Sequence, residues 1–269
     1  MTSGSLRVLA LAAAVTAGTV VACSESTSPL SGGQSMSLSF AGTAPPGVSP
    51  SVGGIMSVQN ILADTLVQVS GSDTLKITSA QVVLRRISLK RVEASSVNCD
   101  TMPETSQNSC EEFTLRDLLV SLPLVQGVQT ALTVQVDSGH YQGVEFKIHK
   151  PGSDSIDLAF KAANPGFDSI SIKVTGLFNG TPFTFVSRMD VEQEFDFPTP
   201  LVVDASGTAT NLTLRLDLTT WFKNVSTGAL IDPTSANPGG ASEGLVTSNI
   251  QHSAKAFEDK NRDDDERNG

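Results

Sequence analysis

The sequence predicts an all-β protein, an antiparallel β-sandwich with little helix that follows a signal peptide and a flexible tether. Three observations carry this expectation. Apolar residues recur with a period of two in short segments from residue 55 onward, as in "LTVQV", "VEFKI" and "LTLRLDL". Turn signals such as "DSGHY", "KPGSD", "NPGFD" and "FNGTPF" separate those segments. No long stretch shows the 3.6-residue period of an amphipathic helix, so neither a doubly wound sheet nor a bundle fits.

At the N-terminus, one charge, Arg7, precedes an apolar run over residues 8–21. A run of this length suits an export signal and falls short of the ~20 residues of a membrane-spanning helix. It ends in Val20-Val21-Ala22-Cys23. Those four residues resemble the lipobox of bacterial lipoproteins, which implies cleavage before Cys23 and acylation of its thiol. The alternative is ordinary cleavage after Ala22, leaving a thiol. Acyl chains bury methylenes at ~0.8 kcal/mol each, and two or more chains anchor stably. Ser24, rather than Asp, follows the cysteine, which under the same resemblance implies delivery to the outer membrane.

Residues 23–54 are rich in Ser, Gly, Thr and Pro and read as a tether. Within them "SMSLSF", residues 35–40, alternates Met36, Leu38 and Phe40 with serines and predicts a short edge strand. The sandwich is expected over residues 55–257 and an acidic tail over 258–269. Its strands place Leu132, Val134 and Val136, then Val144, Phe146 and Ile148, on one face each. "IDLAF" (Ile156, Leu158, Phe160), "ISIKV" (Ile170, Ile172, Val174) and Leu212 to Leu218 repeat the pattern. Asn179-Gly180 tolerates the positive φ of a type I′ turn and predicts a hairpin. Helix is expected only as a turn or two in "LRDLLVSL", residues 115–122, and in "LVTSNIQHSAKAF", which reads equally as a closing strand.

The succession "AQVVLRRISLKRVE", "FTLRDLL" and "VDSGHYQGVEFKI", within residues 80–148, resembles an uncharacterised domain family of bacterial lipoproteins. The resemblance implies a transthyretin-like β-sandwich and carries no catalytic residues.

Of three cysteines, acylation of Cys23 leaves Cys99 and Cys110, which bracket the polar stretch "CDTMPETSQNSC". An even pair in an exported protein predicts a disulfide, worth up to about 3 kcal/mol in the chain-entropy model. Neither belongs to a C-x-x-C and no histidine lies near them in sequence, which argues against zinc.

The net charge of −10 becomes −11 when residues 1–22, with their single Arg7, are removed. That surface repels nucleic acid, so partners are expected among neutral or cationic molecules: the membrane through the lipid, and an envelope protein or glycan. No nucleophile elbow, P-loop or H-E-x-x-H occurs, and His140, His149 and His252 are scattered. A non-enzymatic binding or structural module is therefore expected, with no cofactor, against an envelope enzyme acting on glycan or peptide or a calcium-dependent binding module.

Two acidic constellations remain. "MDVEQEFDF" puts Asp190, Glu192, Glu194 and Asp196 on one strand face. That row reads as a solvated face, as partners of Arg86 and Lys90 on a neighbouring strand, or as a calcium site. In the tail, Asp259, Asn261, Asp263 and Asp265 alternate like the opening of a calcium loop. Asp264 stands where that loop needs glycine, and the twelfth-position Glu is missing. The sequons at Asn211 and Asn224 are read as chance matches.

Overall fold

The computed structural model describes residues 34–43, 65–92, 117–204 and 210–259. Its two sheets follow from the alternation seen in the sequence. One is four-stranded, in the order β11 (Ala254–Glu258), β10 (Thr210–Leu216), β1 (Gln34–Ala41), β5 (Val128–Val136). The first strand lies inside this sheet and not at its edge: it runs parallel to β10 and antiparallel to β5. Its Met36, Leu38 and Phe40 are fully buried. Ser37 and Ser39 are covered as well, and Ser39 Oγ donates to Asn211 Oδ1 at 2.7 Å.

The second sheet is built on β3 (Asp73–Arg91), a strand of 19 residues. On one side β3 pairs with β2 (Leu66–Ser70) and then β4 (Leu118–Ser121). On the other it pairs with β7 (Ile172–Phe178) and β6 (Gly139–Ile148). Those two occupy the same side, because Val83 donates its N–H to Ser171 O at 2.8 Å and accepts from His149 N at 3.0 Å. A strand residue directs both groups to one neighbour. β7 thus resumes the lane that β6 leaves. Beyond them, β8 (Thr181–Ser187) pairs with β7 and β9 (Val191–Val203) with β6, again in one lane. Seven strands therefore make four lanes, matching the four strands opposite.

The inner faces meet in a continuous core that includes Leu38, Phe40, Ile77, Tyr141, Phe146, Phe185, Leu214 and Trp221. Each fully buried large side chain contributes ~1.5–3 kcal/mol. The Asn179-Gly180 turn joins β7 to β8 with both residues at positive φ, 51° and 80°, as a type I′ hairpin requires. The edge strand β8 is capped by one side chain: Asn237 Oδ1 accepts from Val186 N at 2.8 Å and its Nδ2 donates to Thr184 O at 3.2 Å.

Three local expectations are corrected. "IDLAF" lies in the helix α1 (Ser155–Ala163), because Asp154 caps it, its Oδ1 accepting from Asp157 N at 2.8 Å, and alanines follow. Of its alternating apolar residues only Phe160 is buried. Within the segment expected to hold a turn of helix, Leu118–Ser121 form β4, where pairing with Gln81 to Leu84 outweighs a local helical preference. "LVTSNIQHSAKAF" divides, giving helix α3 (Glu243–His252) and then β11. A short helix, α2 (Leu218–Trp221), precedes them.

Candidate functional site

Strand register assembles a charged cluster at one level of the second sheet. Leu84 pairs with Leu118 on one side and Ile148 on the other, and Ile148 pairs with Val191. The residues next to these partners are Arg85, Asp117, His149 and Asp190. A bulge follows Arg85, with Arg86 at φ 53°, so β3 departs from regular alternation here. At this level the chain leaves the sheet at His149 and returns at Ser171, and α1, carried on that excursion, adds Asp154 and Asp157.

His149 is buried, and both its ring nitrogens face carboxylates: Nδ1 lies 3.2 Å from Asp190 Oδ1, Nε2 2.9 Å from Asp157 Oδ1. Arg85 Nη1 is 3.0 Å from the same Nε2 and 3.1 Å from Asp157 Oδ1. Nη1 and Nη2 both donate to Asp154 Oδ2, at 3.1 and 3.2 Å. Gly152 N donates to Asp157 Oδ2, and Lys147 Nζ sits 3.1 Å from Asp190 Oδ1.

Asp117 differs from the others. Its side chain is 1% exposed, Arg85 Nε lies 3.4 Å from Oδ1, and yet neither oxygen accepts a hydrogen bond. Burial, reinforced by the adjacent Asp157 carboxylate, pushes Asp117 up to about 6. Burial also acts to raise Asp157, but its contacts with Asp117, Gly152 N–H and His149 prevail and hold it at about 2. One oxygen each from Asp117 and Asp157 and a ring nitrogen of His149 lie within 4.8 Å of one another. Asp117 also lines a groove of about 450 Å³ walled by Ile156, Ala159 and Phe160 of α1. The wall also carries Ser155 and Asn164, and a buried acid in such a mixed groove suits a cationic group.

In the sequence His149 stands as one of three scattered histidines, and no local pattern joins it to this cluster. Its signals were faint: a histidine ending a strand, a Pro-Gly turn, and a Ser/Asp-rich cap in "HKPGSDSIDL". Convergence with Arg85 and Asp117 depends on register, which local patterns do not show. His140 lies near the start of β6, nine residues before His149, and His252 ends α3; both are exposed.

The row Asp190, Glu192, Glu194 and Asp196 is exposed, as the alternation predicts. Lys90 Nζ pairs with Glu194 and lies 3.5 Å from Glu145 Oε2, bridging β3 to β9 across the intervening β6. Arg86 is exposed and makes no ion pair with the row among the described residues. In the tail, Asp259 is 1% exposed, and its Oδ2 accepts from Thr213 Oγ1 at 3.4 Å. Asn261, Asp263 and Asp265, together with Cys23, Cys99 and Cys110, lie outside the described residues.

Comparison with protein-family models, characterised proteins and solved structures finds no match to this chain.

Proposed function

We propose that this chain is a lipid-anchored bacterial envelope protein whose sandwich is a non-enzymatic binding module for a cation, seated in the groove at Asp117. The anchor rests on the signal-like N-terminus and Cys23, and the resemblance of residues 80–148 to lipoprotein domains agrees with it. Among the described residues no helix is long and apolar enough to cross a membrane.

Binding rests on a single observation: the Asp117 carboxylate is buried in a groove wall with neither oxygen accepting a hydrogen bond. A buried acceptor left this way costs ~1–3 kcal/mol, more when charged, and a bound cation offsets that cost. The net charge of −10 concentrates cations around the molecule. His149 and Asp190 resemble a general base and its orienting acid, but Asp157 and Arg85 engage Nε2. That occupation favours binding over catalysis.

The test is a thermal-shift series on the full-length protein in detergent with divalent metals, alkylammonium ions and polyamines. A stabilising cation whose effect disappears in Asp117→Asn is the expected result. No stabilisation by any of them overturns the binding reading.

A further inference from the structure

We infer that Asp117, His149 and Asp157 form a binding site for a divalent transition-metal ion, with Arg85 as a built-in competitor for the same ligand atoms. The inference rests on the reading of the Asp117 groove as a cation site and names the cation.

The donor set is one imidazole nitrogen and two carboxylate oxygens. Calcium takes six to eight oxygen ligands, whereas imidazole beside carboxylate suits zinc and its neighbours. The three donor atoms lie within 4.8 Å of one another, and His149 Nε2 and Asp157 Oδ1 are 2.9 Å apart. Tetrahedral ligands at ~2.1 Å from a metal stand ~3.4 Å from each other, so a small adjustment of Asp117 closes the site.

The surroundings also fit. A metal-bound histidine usually donates its other ring N–H to a carboxylate, which fixes the ring and its tautomer. Here Asp190 Oδ1 is 3.2 Å from Nδ1, leaving Nε2 turned toward Asp157. Gly152 N–H holds the second oxygen of Asp157, orienting the first. Asp117 supplies two buried oxygens that accept no hydrogen bond, shares a contact with the Asp157 carboxyl, and belongs to the residues that line the groove.

Arg85 sets the affinity. Its Nη1 lies close to both Nε2 and Asp157 Oδ1, so a metal and this guanidinium group cannot use those atoms together. Arg85 retains Asp154 Oδ2 as a partner through Nη2 when displaced, and Asp154, with its side chain 51% exposed, can follow it outward. Metal entry therefore exchanges one buried cation for another and leaves the guanidinium paired.

Isothermal titration of the full-length protein in detergent with Zn²⁺, Mn²⁺ and Ca²⁺, accompanied by Co²⁺ absorption spectra, tests the inference. Zn²⁺ is expected to bind and Ca²⁺ to bind more weakly, with Co²⁺ giving visible bands of nitrogen and oxygen ligation. Asp117→Asn and His149→Gln, both near-isosteric, should weaken Zn²⁺ by about ten-fold or more, since even outer-shell changes cost 10–100-fold. Arg85→Gln should tighten it by about ten-fold and give a larger zinc-induced rise in melting temperature. A Zn²⁺ affinity unchanged by His149→Gln, in protein that melts cooperatively, overturns the site. A weaker affinity in Arg85→Gln overturns the competitor role. If alkylammonium ions stabilise the protein through Asp117 while no metal binds, the metal assignment fails and the cation-binding reading stands. If nothing binds, both fail.

Discussion

Asp117 and Asp157 titrate in opposite directions, and their signs shape the acid limb of the stability curve. Asp117, raised from 3.8 to about 6, takes up its proton in the folded state before the unfolded chain does, so stability grows as pH falls through 6 toward 3.8. Asp157, lowered to about 2, stabilises above 3.8 and loses that contribution as pH falls toward 2. Melting in chelator is therefore expected to rise between pH 7 and 5, by the equivalent of about 1 kcal/mol, and to fall below pH 4. Asp117→Asn should flatten the rise, and a rise that survives it refutes the assignment. Elsewhere in the core, Trp221 Nε1 donates to Ser253 Oγ at 2.8 Å with both groups buried. Ser253→Ala should cost ~1–3 kcal/mol, read by urea denaturation, because the indole N–H is left without an acceptor.

At the scale of elements, close backbone approaches separate glycines that are required from one that is not. A Cβ on Gly176 would stand 1.9 Å from Lys76 O, beside the irregularity between Ile77 and Ser79, so β7 sits against β3 only with glycine there. Gly176→Ala should destabilise by about 3 kcal/mol or more, or prevent folding. Gly244 meets nothing within 4 Å in the first turn of α3, and Gly244→Ala should stabilise by up to about 1 kcal/mol. Chemical denaturation of the two variants checks both signs. The strands carrying Val144, Phe146 and Ile148 or Leu212 to Leu216 were legible because period-two alternation places side chains on a face whatever their partners. The alternation in "IDLAF" misled because a helix can carry the same three apolar residues and bury only Phe160, and the deciding cue was the Asp154 cap. The cluster around His149 was not legible, since its members lie on segments separated by tens of residues and meet only through the pairing of Leu84, Ile148 and Val191. The row from Asp190 to Asp196 was legible as a face, but Lys90 reaching it across β6 was not.

For the whole molecule, β1 brings residues 34–41, expected as an edge strand within the tether, into the interior of the first sheet. β1 holds β10 and β5 together, so a chain beginning at residue 55 loses the strand between them. Such a chain should be insoluble or unfolded, whereas one beginning at residue 24 should give strand-rich circular dichroism and a cooperative melt. Cooperative melting of the shorter chain would contradict the topology. The anchor has its own test: Cys23→Ser should release the protein from membranes, and a processed protein that stays in the detergent phase rules out acylation. The strand directions give the molecule a proximal and a distal pole. Gln34 opens β1 beside Val136, and β11 returns antiparallel to β10 so that Glu258 pairs with Leu212 near the same end. The chain therefore enters and leaves the sandwich at one pole. From Cys23 to Gln34 the backbone reaches no more than ~40 Å, so acylation of Cys23 would hold Gln34 within that distance of the bilayer. β6 starts beside this pole, one turn after β5, and runs 10 residues, ~30 Å, before delivering His149. His149 therefore stands a full strand's length from the Gly139 end of β6, so acylation at Cys23 and cation binding at Asp117 would act at separate ends of the sheet.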